Sequence, residues 1–584
     1  MRIQHLSSIL YRAFLCSALL FVGNAAFAAS SPSTAESPTL EQICGTSDTN
    51  TTLAYAQDSF VQRQQKRDGQ RQLRNKLNNV YQVGQVAVIE NDGSLLRGAN
   101  PFDLAGREIQ FLRRPRGMSA VRAAIGFKDL IGDPITLGDD DALFFEFPDG
   151  ETYSFGDRTY NGAWVHSDGN VTFGEPEASS LPRDLSRLLD GPPRVAALFS
   201  DLDPTAATGN GGVYVAFLPG RFRVTWLDVP NFDSTNSNTV QLTLFYATGR
   251  ALVVFGDQID APQAVVGVRA FSEVDVMDYS EELPRPPMPT AIAESFSSEQ
   301  GDLNDLAFPR TFFQGFQDRY HSLIFFLDFE HTLRNGAFAY HIGTANDVQG
   351  IGLPLFDNTS IWGSDGELRS YVNMGDLSRY PDDPDTFVIG AGSITTMGLL
   401  GHEAGHRWMA RLRLLENGEP TTRLLGRQEA HWSFHMHSEG SMVEGNFWTE
   451  NGDGTFTTTD AANSRYGSLD QYMMGLRPPA LVNDFFWIQS NERVASDPPA
   501  IGATIRGTRN DVTIDDVIAA NGPRVPARGA SPQNFRMAFV LVTNGGPPSA
   551  ESVEKVDLYR RRFMAFFNQA TNGRGTVVTG LFPR

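Results

Sequence analysis

Residues 393–415 read SITTMGLLGHEAGHRWMARLRLL. Ser393 is a good N-cap, Gly418 follows the run, and apolar residues recur at Ile394, Met397, Leu399, Leu400, Met409 and Leu412. The pattern predicts the longest helix of the chain over roughly Ser393 to Leu415. Inside it lies His402-Glu403-Ala404-Gly405-His406. Four-residue spacing sets His402 and His406 one turn apart on one helical face. Two imidazoles so placed suit one tetrahedral Zn2+. Glu403, offset by one residue, is placed to act as general base on a water that attacks a carbonyl. Only ten His occur in 584 residues, and five of them fall between 402 and 437. By composition alone such a motif arises on the order of 0.01 times in a chain of this length.

A third donor is needed, and three positions offer one. Glu444, in Ser441-Met442-Val443-Glu444-Gly445, is the first candidate; His431 and Asp470 are its rivals. His431-Trp432-Ser433-Phe434-His435-Met436-His437 alternates with period two, which predicts a strand with Trp432, Phe434 and Met436 in the core and the His face turned to the cleft. One His there would bind the metal, and another, His435, would stabilise an oxyanion. Tyr466 and Tyr472 are further candidates for that second role.

The motif resembles the zincin class of zinc metallopeptidases. The third His of the metzincin extension is absent, because Arg407 to Leu412 stand in its place. Met442-Val443-Glu444-Gly445 is similar to the third-ligand segment of the fungalysin type, within the glutamate-liganded (gluzincin) branch. It departs from that type where Asn451-Gly452-Asp453-Gly454 breaks the helix the family continues. The resemblance implies an α+β metallopeptidase domain over 311–584, one catalytic Zn2+, Glu403 as general base, and a protein or peptide substrate.

Upstream the texture is β. VGQVAVIE (83–90), ALFFEF (142–147), AWVHS (163–167), GVYVAFL (212–218), RFRVTWLDV (221–229), VQLTLFY (240–246) and ALVVFG (251–256) are separated by turn signals such as Asp168-Gly169-Asn170. This spacing predicts an antiparallel β-sandwich over 81–270. Tyr160 to Gly174 (YNGAWVHSDGNVTFG), followed by VAALFSDLDP (195–204), resembles the nidogen-type extracellular β-domain, which implies binding of an extracellular target rather than chemistry. The fold class expected is therefore multidomain, an N-terminal antiparallel β-sandwich followed by an α+β zincin-like domain. Residues 29–80 read as a flexible leader with one short helix toward its end, and 271–310 as an acidic, Pro-rich linker. A final helix is expected near Ala550–Asn568.

Residues 1–28 read as a secretory signal peptide: Arg2 and Arg12, the short apolar core AFLCSALLFV (13–22), then Ala26-Phe27-Ala28 at the cleavage site. A secreted, extracellular or periplasmic protein is expected. No run is long enough to span a bilayer. The net charge of −20 disfavours nucleic acid as a partner. Past the signal a single cysteine remains, Cys44, in a Ser/Thr/Pro-rich stretch; it reads as exposed and non-catalytic, with no cysteine-switch pattern around it. Ca2+ at Asp139-Asp140-Asp141 or Asp201/Asp203 has no spaced oxygen-ligand loop behind it. Two function classes follow: a secreted zinc endopeptidase, and an adhesive or matrix-binding protein carrying a non-catalytic zincin-like scaffold.

Overall fold

The computed structural model describes residues 44–584 apart from 48–49, 68–79, 92–94, 97, 116, 178–181, 271–273, 281–289, 299–302, 334–335, 461–463, 494–495 and 497. The expected signal peptide, the leader up to residue 43 and much of the expected linker lie outside the described residues. No helix among the described residues is long and apolar enough to cross a membrane.

The alternating runs form two seven-stranded sheets. One has the order 117–122, 108–114, 250–259, 238–245, 221–229, 212–218, 133–135; the other has 274–276, 291–297, 263–269, 194–199, 170–172, 162–166, 142–146. All pairings are antiparallel except that of Val274–Val276 with Ala291–Ser297. In the strand Arg221–Val229, Phe222, Val224 and Trp226 are fully buried between the sheets. The Trp226 indole donates to the His166 carbonyl of the opposite sheet at 2.9 Å, so the largest core ring is also pinned by its polar edge.

A third, mixed sheet has the order 80–83, 86–90, 534–543, 322–327, 370–376, 340–343, with 576–578 also on 534–543. Val86–Glu90, Ser322–Leu327 and Ser370–Asp376 join it in parallel, while Tyr340–Gly343 forms an antiparallel edge. Val83 to Glu90, expected in the sandwich, therefore belongs here. Val86 to Ile89 are buried on both faces, and such a run reads alike in a parallel interior or a sandwich core. Ala291–Ser297, inside the expected linker, is a wholly buried strand of the sandwich. A helix, Ala307–Gly315, crosses the expected boundary at 310. The leader helix runs Asn50–Arg67, earlier than its polar sequence predicts, and the last helix runs Ala550–Ala570. The core beneath the mixed sheet joins Phe326, Phe539 and Phe563 to Met397, Leu399 and Leu400 of the motif helix. A smaller sheet, ordered 504–506, 455–460, 444–450, 432–437, 485–489, 508–512, carries the period-two His run.

Candidate metal centre

The motif helix spans Thr396–Gly405. Thr395, not Ser393, caps it, with its hydroxyl accepting the Gly398 N–H at 3.0 Å. The helix ends far short of Leu415 because the chain turns at Gly405, whose carbonyl accepts both Trp408 N–H (2.9 Å) and Met409 N–H (3.1 Å). Met409 and Leu412, which prolong the helical pattern in the sequence, are buried in the same core by tertiary packing instead.

Two glycines bring the helix against the segment Met442-Val443. A Cβ on Gly401 would lie 3.0 Å from Met442 Sδ, and one on Gly405 would lie 2.9 Å from Val443 Cγ2. That close approach puts the Met442 carbonyl 2.9 Å from His402 Nδ1. His406 Nδ1 lies 3.3 Å from the Met409 carbonyl, and His431 Nδ1 lies 3.1 Å from the Arg427 carbonyl. A carbonyl can only accept, so each Nδ1 carries the proton and each Nε2 presents a lone pair.

The three lone pairs converge. His406 Nε2 is 3.1 Å and His431 Nε2 is 3.2 Å from His402 Nε2, and all three side chains are buried. The Cys44 sulfur is 3.5 Å from His406 Nε2. Sγ and the three Nε2 atoms form a group compact enough to surround one ion. Tetrahedral Zn2+ with bonds of about 2.0–2.1 Å to nitrogen and about 2.3 Å to sulfur sets N···N edges near 3.3 Å and N···S edges near 3.6 Å. Three neutral acceptors this close repel one another unless a cation lies between them. The donor set therefore fits Zn2+.

Glu403 is fully buried beside the cluster and accepts a hydrogen bond from Thr46 Oγ1 at 3.0 Å. Burial pushes its carboxyl up to about 7, against the pull of the Cys44 thiol, the Thr46 hydroxyl and Arg427. Burial and the neighbouring Glu403 raise the Cys44 thiol. A divalent cation inverts that preference, because a coordinating thiol is deprotonated outright.

The third imidazole is His431, and Glu444 stands behind it. The Glu444 carboxylate is held by the Arg427 guanidinium, through Nε at 2.9 Å and Nη2, and lies 3.8 Å from His431 Nε2. Arg427 Nη2 also lies 3.0 Å from His431 Nε2, and Nη1 donates to the Cys44 carbonyl at 3.2 Å. Glu444, Gln428 and Glu429 all have positive φ (69°, 49° and 49°), so three non-glycine residues around the centre sit in strained backbone.

The other sequence candidates are engaged elsewhere. Asp470 accepts from the Trp432 indole at 2.9 Å and from Gly467 N–H at 2.8 Å, capping its own helix. Tyr466 donates to the Gly401 carbonyl (2.7 Å), and the Tyr472 hydroxyl accepts Arg524 N–H (3.0 Å). His435 is buried outside the ligand cluster. His437, expected in the cleft, packs between Phe447 and Phe486. Conversely, the sequence reading misses Cys44, which is 0% exposed, and with it Thr46, Arg427 and His341, whose ring centroid lies 6.1 Å from that of His406. The available signal is chemical: a thiol, a natural zinc donor, in a chain with clustered His.

A group of three acids, Asp139, Asp140 and Asp201, lies beside Arg183. The buried Arg183 reaches Asp201 at 3.0 Å and Asp168 at 2.8 Å and also pairs with Asp140.

No family model matches this chain, and no curated protein or solved structure matches it either.

Proposed function

We propose that this protein is a secreted zinc-dependent endopeptidase of zincin type, acting on protein or peptide substrates, with the upstream nidogen-like sandwich as its binding domain for an extracellular target. The observation that supports it is the convergence of three imidazole Nε2 atoms at 3.1–3.2 Å beside the Glu403 carboxylate. A Zn2+ ion held by His402, His406 and His431 would supply Lewis-acid polarisation of a scissile carbonyl and a lowered pKa for water.

The chain supplies the rest. The Met442, Met409 and Arg427 carbonyls fix the imidazole tautomers, which keeps the Nε2 lone pairs convergent. Glu403, buried beside the three imidazoles, takes a proton from the attacking water and delivers it to the leaving amine. Arg427 is charge-balanced by Glu444, so the centre gains no net positive charge from it.

The second reading, a matrix-binding protein with a non-catalytic metal scaffold, draws on the closure of the cluster by Cys44, since structural zinc sites have four protein ligands. Against it stands Glu403. A buried carboxylate is costly, and a purely structural centre has no use for one.

The test is cleavage of an unfolded protein substrate by the zinc-loaded chain and its Cys44→Ser form. Glu403→Gln should lower the rate by about 10²–10⁴-fold with zinc content unchanged. Equal rates for Glu403→Gln and its parent would refute the mechanism.

A further inference from the structure

Three consecutive residues of the leader occupy three separate parts of this centre. Cys44 Sγ takes the fourth corner, 3.5 Å from His406 Nε2. Thr46 Oγ1 donates to Glu403 at 3.0 Å, occupying the carboxylate that must receive the proton. Between them, Gly45 N–H donates to the Ala339 carbonyl at 2.9 Å, and His341 N–H donates to Thr46 Oγ1 at 2.7 Å. Cys44 and Ala339 form a parallel bridge.

Ala339 leads into Tyr340–Gly343, which is the end strand of the mixed sheet. A sheet edge recognises an extended peptide through main-chain hydrogen bonds, with side-chain pockets adding specificity. The segment from Cys44 to Thr46 meets that edge through one bridge at Cys44, one main-chain hydrogen bond from Gly45 to Ala339, and the Thr46 hydroxyl on His341 N–H. Arg427 fastens it by donating to the Cys44 carbonyl at 3.2 Å. Cys44 and Thr46 are buried, and so are the three imidazoles and Glu403. The helix Asn50–Arg67 begins just beyond and anchors the segment: Asp58 pairs with Arg310 at 3.1 Å, and Arg63 with Asp275 at 3.6 Å.

We infer that the chain is latent: its own Cys44–Ser47 segment inhibits it by ligating the metal, engaging Glu403 and filling the edge where an extended substrate would lie. This deepens the peptidase reading and rests on it. Activity appears when the segment leaves the edge strand. The same geometry assigns the substrate class, an extended polypeptide that adds to Ala339–His341 by backbone hydrogen bonds.

Two readouts test it on the full chain. Cobalt(II) replaces zinc, and thiolate-to-cobalt charge-transfer absorption is recorded for the intact chain and for Cys44→Ser. The intact chain should show the band and the variant should lose it; an intact chain without it overturns the inference whatever the activity. Hydrolysis of an unfolded protein substrate is then compared among the zinc-loaded intact chain, Cys44→Ser and Thr46→Val. Cys44→Ser should be faster by about ten-fold or more, since a tethered segment acts at millimolar effective concentration. Thr46→Val keeps the sulfur and should be faster by a smaller factor. A synthetic Gln42–Ser47 peptide should slow Cys44→Ser, and the same peptide with Ser in place of Cys should not. Equal rates for the intact chain and Cys44→Ser overturn latency and leave the peptidase reading standing. No hydrolysis by any form, with the cobalt band present, overturns the peptidase reading and latency with it.

Discussion

Glu444→Gln and His431→Gln separate the two candidate third ligands. Glu444 is 1% exposed and faces Arg427, itself 4% exposed, so the amide leaves a buried guanidinium without its counter-charge. Breaking such a pair costs about 3–5 kcal/mol of stability. Arg427 also contacts His431 and the Cys44 carbonyl, so its release loosens two donors of the centre. Loss of an outer partner of this kind weakens metal affinity by about 10–100-fold, or roughly 1.4–2.8 kcal/mol. Glu444→Gln should therefore still bind one zinc, only less tightly. His431→Gln removes a lone pair 3.2 Å from His402 Nε2 and should abolish tight binding. The assay is zinc competition against a chromophoric chelator, with thermal melts beside it. Zinc at about 100 times its Kd adds about 2.7 kcal/mol to a binding fold, so it should raise the melting temperature of Glu444→Gln and not that of His431→Gln. The reverse pattern would refute the assignment and restore Glu444 as the ligand.

Trp226→Ala should destabilise the sandwich by about 3–5 kcal/mol in denaturant titration, because it empties the core and orphans the His166 carbonyl. Gly405→Ala drives a methyl to 2.9 Å from Val443 Cγ2 and should lower both stability and zinc affinity, with Gly418→Ala, which meets no atom within 4 Å but has φ of 87°, affecting stability alone. Glu294 is buried, and burial raises its carboxyl to about 8 against the pull of Tyr279 N–H and the Asn100 amide. The folded chain thus holds a proton that the unfolded chain releases near pH 4.3, so this group removes stability as pH rises from about 4.3 to about 8. Glu294→Gln keeps one acceptor for the Asn100 amide and loses the one for Tyr279 N–H, so it should be more stable than the parent at pH 8 by about 2–4 kcal/mol, after about 1 kcal/mol for the lost bond, and should be no more stable than it below pH 4; melts that differ equally at both pH values would contradict this.

The sandwich was legible because period two survives wherever one face of a strand is buried and the turns carry Gly, Asp or Asn. Arg221–Val229 and Gly212–Leu218 fall where the alternation puts them. Val86–Glu90 was placed in the wrong sheet because a strand buried on both faces has no alternation to read. The two helical imidazoles one turn apart follow from local spacing alone, and so does the carboxylate beside them. The rest of the centre depends on contacts across the chain: Cys44 meets His406 over 362 positions and Thr46 meets Glu403 over 357. Glu444 reads as a donor in the sequence because nothing local shows that Arg427 holds it. The helix was overextended because Met409 and Leu412 keep a helical rhythm while the chain turns at Gly405.

Zinc content tests the whole account most directly. The full-length chain, purified and dialysed against a weak chelator, should retain one zinc, and substitution of His402, His406 and His431 together by Ala should reduce that to none while the sandwich still melts as before. A parent chain that retains no metal, or a triple variant that keeps it, would contradict the centre described here.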